Sequence, residues 1–97
     1  QMAALKSYCK HSDDRFSGGL LQIYPKSIRY EYSSGSDEWG YPGHSNEWHV
    51  SRVELKALLD HFGVTSTQEL IKKIDTDELA MVIDVTRWIA NNCETRG

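Results

Sequence analysis

Between Leu20 and Tyr32 the apolar positions recur every second residue on either side of a break at Pro25 and Lys26. Leu21 and Ile23 share one face and Leu20 and Tyr24 the other; beyond the break, Ile28, Tyr30 and Tyr32 alternate with Arg29 and Glu31. A period of two is that of a half-buried strand. Pro25 cannot donate to a ladder and presets the backbone for a turn. The pattern predicts a hairpin, and "LKSYCKH" adds a further strand ahead of it, set apart by the polar stretch "SDDRFSGG".

The period changes after residue 50. Ser51 with Glu54, Ser66 with Glu69, and Asp75 with Glu78 each place a capping residue three positions before a glutamate. The cap side chain satisfies a free N–H of the first turn, and the glutamate reaches back toward the positive helix end. Three such pairs, each opening a run of helix formers, predict helices over about 51–62, 66–74 and 76–93. Gly63 stops the first where a left-handed cap is expected. Apolar stripes follow: Val53, Leu55, Leu58, Leu59 and Phe62 on the first helix, and Leu70, Ile71 and Ile74 on the second. On the third they are Leu79, Val82, Ile83, Thr86, Ile89, Ala90 and Cys93, widened by Met81, Val85 and Trp88. A stripe that wide marks a helix central to the core or in contact with a second copy of the chain. The expected fold is α+β: a small antiparallel sheet of three to four strands over about 5–50, packed against three C-terminal helices in one domain spanning 1–97.

Between the two halves lies "SDEWGYPGHSNEWHV", residues 36–50, with two Trp, one Tyr, two His, three acids and no base. Pro42 and Gly43 occupy the positions where a type II turn needs a fixed negative φ and then a positive one. The flanks "EWG" and "EWHV" are expected to face each other as short strands. Trp48 alternates with Val50 and is expected to point into the core. Asp37, Glu38, Trp39, Tyr41, His44 and Glu47 then form an outward patch, because Trp and Tyr dominate protein-binding hot spots and surrounding acids steer a basic partner.

Composition narrows the classes. With 39% hydrophobic and 26% charged residues the chain is an ordinary globular one. No apolar run approaches the ~18 residues that span a bilayer, and "QMAALKSYCKH" has no signal-peptide core, so a cytoplasmic location and no membrane association are expected. In that compartment Cys9 and Cys93 are expected as two reduced thiols rather than a disulfide. The net charge of −3 divides into +3 over residues 1–30 and −6 over the rest. An acidic larger part favours a basic protein partner and disfavours nucleic acid.

Other chemistries are thinly signalled. Cys9-x-His11 and His44-x4-His49 resemble metal-ligand spacings, but on separate segments, so no metal or other cofactor is assigned. There is no nucleophile elbow and no phosphate-binding glycine loop, and the chain is not expected to be an enzyme. A small His- or metal-dependent enzyme, using His44, His49 or His61 beside a carboxylate, stands as one alternative. "LKALLDHFGVTSTQELIKKI" has the outline of a helix-turn-helix, the other alternative, yet acids follow the would-be recognition helix at once in "DTDE". The sequence therefore points to a small acidic protein-binding module. An inhibitor or immunity-type protein fits, such as an antitoxin or a phage or bacterial accessory protein that blocks a basic toxin nuclease or nucleic-acid-handling machine. The last helix leaves room for a homodimer.

Overall fold

The computed structural model describes residues 3–11, 17–34 and 44–95. Four strands, β1 (Lys6–His11), β2 (Ser17–Tyr24), β3 (Ser27–Ser34) and β4 (His44–His49), form one antiparallel sheet in the order β1-β2-β3-β4. Three helices follow, α1 (Arg52–His61), α2 (Thr67–Thr76) and α3 (Glu78–Asn92). The α+β arrangement is the one the periodicity predicts.

Register gives the sheet two different faces. Tyr8, Leu21, Tyr30 and Trp48 stand in one cross-strand row, and Ile23 and Ile28 in the next. All six are buried, together with Val50. Leu58 of α1, Leu70 and Ile74 of α2, and Val82, Val85 and Ile89 of α3 close over them. Ser7 and Cys9 of β1 and the odd-numbered positions of β3 and β4 look the other way, toward a face that carries no helix among the described residues. Such alternation is what one wet and one dry face require.

Each helix end has a visible cause. Ser51 and Glu54 form the reciprocal capping box, the Glu54 N–H donating to Ser51 Oγ at 3.2 Å and the Ser51 N–H to Glu54 Oε1 at 2.8 Å. Gly63, at φ +71°, ends α1, and Val64 N–H returns to the Leu59 carbonyl. Ser66 caps α2 through the Glu69 N–H, while the Glu69 carboxylate takes the Thr65 N–H and is held below its usual range by that bond. Thr67 hydroxyl donates to the Pro25 carbonyl at 2.9 Å, which docks the start of α2 on the β2–β3 turn.

Three expectations need correction. Asp75 is not a cap: α2 continues to Thr76, Asp75 accepts the Tyr8 hydroxyl at 2.8 Å, and Asp77 precedes α3 without a side-chain capping bond. Val53 is exposed, because it lies two residues, about 200° of helix, from the Leu55 stripe. Leu79 keeps helical spacing with Val82 but is 72% exposed, since a hollow separates the first turn of α3 from β1. The width of the α3 stripe is mostly absorbed inside: Val82, Val85, Thr86 and Ile89 are buried, and Met81 and Trp88 pack against the core. Among the described residues no helix is long and apolar enough to cross a membrane.

Candidate functional site

Four of the six residues expected in the outward patch, Asp37, Glu38, Trp39 and Tyr41, lie outside the described residues. So does the "EWG" flank expected to pair with "EWHV"; in the described sheet the partner of β4 is β3. His44 opens β4, and Glu47 stands in the middle of it on the helix-free face. Trp48 turns inward as expected and stacks on Tyr30, with ring centroids 4.9 Å apart and planes 16° from parallel.

Around Glu47 the helix-free face holds a continuous polar network. Pairing of β3 with β4 sets Glu31 directly opposite Glu47 and Arg29 opposite His49. Two carboxylates facing each other across a ladder repel. Arg29 resolves this: Nε donates to Glu47 and Nη2 to Glu31, each at 2.7 Å, while Nη1 donates to Gln22 of β2 at 3.0 Å. The planar guanidinium can serve three acceptors at once, which a lysine could not do with fixed geometry. Bonds to Glu47 and Glu31 push the Arg29 pKa up. Glu47 is held below the usual carboxylate range by Arg29 first and by His49 second. Half-buried Leu20 and Tyr24 and exposed Cys9 share this face.

Arg29, Glu31 and Gln22 were visible in the sequence only as the polar half of an alternating pattern. Nothing local says that Arg29 will meet Glu47, which is 18 residues away. The signal that finds the pair is register, once β3 and β4 are laid side by side.

Topology also sorts charge by position. His11 and Ser17 end β1 and begin β2, and Ser34 and His44 end β3 and begin β4, all at one end of the sheet. The segments 12–16 and 35–43 connect those strand ends and lie outside the described residues; in sequence they hold four acids, Asp13, Asp14, Asp37 and Glu38, and one base, Arg15. At the opposite end, beside the Pro25–Lys26 turn, a shallow hollow is bordered by Lys26 and Arg52 over Leu55 and Leu59.

The remaining candidates are dispersed. Cys9 and Cys93 are free thiols near opposite edges of the sheet. Cys93 sits against Glu54, and burial, reinforced by that carboxylate, pushes its pKa up to about 11. Among the described residues no three His, Cys, Asp or Glu side chains gather as metal ligands. On α2, Lys73 donates to the Phe62 carbonyl at 2.9 Å. Compared with protein-family models, curated proteins and solved structures, the chain matches none.

Proposed function

We propose that this protein is a small protein-binding module, of inhibitor or immunity type, whose partner is a basic protein engaged through Asp37, Glu38, Trp39, Tyr41, His44 and Glu47. The observation that supports the reading is the strand register, which sets the ends flanking segments 12–16 and 35–43, at His11, Ser17, Ser34 and His44, together at one end of the sheet. In sequence those two segments carry four acids and one base, and β4 leads from that end to Glu47 on the helix-free face. Concentrated charge steers a partner of opposite sign and raises the association rate. The aromatic residues between the acids supply the rigid, desolvating contact that charge alone lacks.

A helix-turn-helix regulator draws less support. The exposed face of α2 mixes Glu69 and Asp75 with Lys72 and Lys73, the Lys73 ammonium is engaged by Phe62, and Asp77 and Glu78 follow. Phosphate contacts need the reverse balance. A His-dependent enzyme has the His49–Glu47 contact as its one pairing among the described residues, with the His49 side chain 54% exposed.

The test is affinity capture from lysate of the source organism, at low and high salt, beside the double variant Trp39→Ala, Glu38→Lys. Support is one basic protein retained at low salt, lost with a variant of unchanged thermal midpoint, and altered in its own activity by the wild-type chain. Retention by the variant, or nucleic acid in the eluate that is lost with Lys72→Glu, overturns it.

A further inference from the structure

The two edges of the sheet are not equivalent. The outer edge of β4 is met at Trp48 by an antiparallel bridge from Thr95. The outer edge of β1 meets no strand among the described residues. An edge strand presents a row of unpaired N–H and C=O groups, and proteins ordinarily blunt or cover such rows. Here the edge borders a hollow of about 280 Å³ between Tyr8 on one side and Glu78, Leu79, Val82 and Ile83 of α3 on the other. That is smaller than a typical drug-sized pocket of roughly 300–1,000 Å³ and suits a single side chain of an extended segment.

Two further observations say what would lie there. Leu79 is 72% exposed on the rim of the hollow, more than any large apolar side chain among the described residues except Val53. A lone exposed leucine means little, but one beside an unpaired edge and a hollow has a use. Glu78 is the charged group of the lining and makes no ion pair among the described residues, and Asp77 precedes it. Lys6, the nearby base on β1, is already held by Asp75 at 3.6 Å. The side of the groove formed by the start of α3 is therefore acidic. A second copy of the chain fits poorly: antiparallel pairing of two β1 strands centred on Tyr8 would set Lys6 of each against Lys10 of the other.

We propose that the outer edge of β1 and the adjoining groove beneath Leu79 accept an extended segment of a basic protein as a fifth strand, with an aliphatic side chain in the hollow and a lysine or arginine beside Glu78. Main-chain bonds to the edge would supply affinity and the alternate side chains specificity. The sign of the partner rests on the reading above, but the surface is a separate one.

The probe is a capped hexapeptide, Ser-Val-Ser-Lys-Ser-Val, which sets valine and lysine on one face of a strand, titrated into the ¹⁵N-labelled protein and compared with its counterpart carrying glutamate in place of lysine. Expected are shifts confined to β1 and the first half of α3, slowed amide exchange along β1, and no binding of the acidic peptide. Glu78→Lys should weaken binding by about tenfold or more, since like charges brought together cost at least that much. Leu79→Ser should weaken it with the spectrum elsewhere unchanged, which shows that the fold is intact. Absent or scattered shifts, equal binding of the two peptides, or indifference to Glu78→Lys would overturn the proposal. So would β1 amides already protected in a dimer of the free protein. The Trp39→Ala, Glu38→Lys variant must still bind the peptide, so failure of the loop patch and failure of the groove are told apart.

Discussion

Tyr8 donates its hydroxyl to Asp75 Oδ1 at 2.8 Å and so fastens the edge strand β1 to the last turn of α2, across 67 residues of sequence. Tyr8 is buried, whereas the Asp75 side chain is 40% exposed. Burial and then the Asp75 contact raise the Tyr8 pKa above its ordinary value. Tyr8→Phe keeps the packing and removes the bond. Water can reach Asp75 in its place, so the cost should be about 1 kcal/mol, and the thermal midpoint should fall by roughly 4–8 °C. Thermal and urea unfolding measure it. An unchanged midpoint would mean that the clasp adds nothing to stability.

The Trp48 indole is buried against Tyr30, and its Nε1–H lacks an acceptor among the described residues. A buried donor left unmade costs about 1–3 kcal/mol. Trp48→Ala removes that cost yet should still destabilise by ~3–5 kcal/mol through the cavity it opens. Trp48→Phe, which keeps most of the stacking and deletes the orphan donor, should cost less than half as much. Equal losses in urea unfolding would show that the ring kept by phenylalanine contributes nothing and would overturn the stacking account.

Much of this architecture is legible before any coordinates. Alternation at Leu21, Ile23, Ile28 and Tyr30 gives the buried side of the hairpin, and the Ser51–Glu54 box and Gly63 give both ends of α1. These signals succeed because they are local: a pleat, a free N–H and a positive φ are decided within a few residues. Asp75 misleads for the opposite reason. Its partner is Tyr8, and a contact between opposite ends of the chain outweighs the capping pattern around it. The same limit applies to the candidate site. Glu47 could be picked out as an acid in an aromatic stretch, but its neighbours Arg29 and Glu31 follow only from strand register.

Glu47 offers a test by pH. Its folded-state pKa lies below the ordinary 4.5 because Arg29, and then His49, bond to the ionised form. The contribution to stability is thus complete above about 4.5 and lost as pH falls through the lowered value. Arg29→Gln should return the Glu47 carboxyl, followed by ¹³C NMR, toward 4.5 and flatten the acid limb of the stability profile. A Glu47 titration that does not move would show that the Arg29 contact is not maintained in solution.

The two thiols should differ in reactivity. Cys9 is exposed, whereas Cys93 is partly buried with a pKa raised from 9.0 to about 11. The thiolate is the nucleophile, so at pH 8 iodoacetamide should modify Cys9 well before Cys93. Mass spectrometry of timed aliquots reads the order. Glu54→Gln should quicken Cys93 only in part, because burial is the larger cause. Equal rates at the two sites would contradict the placement of Cys93.

The bridge from Thr95 to Trp48 also sets how many neighbours the sheet can take. A sheet with two open margins is bivalent, and its additions can repeat without limit into a fibre. With Thr95 bridged to Trp48 on β4, the sheet formed by the described residues approaches a valence of one, at β1. A monovalent sheet can accept a partner and then stop, so the Thr95 bridge would act as a chain terminator for assembly.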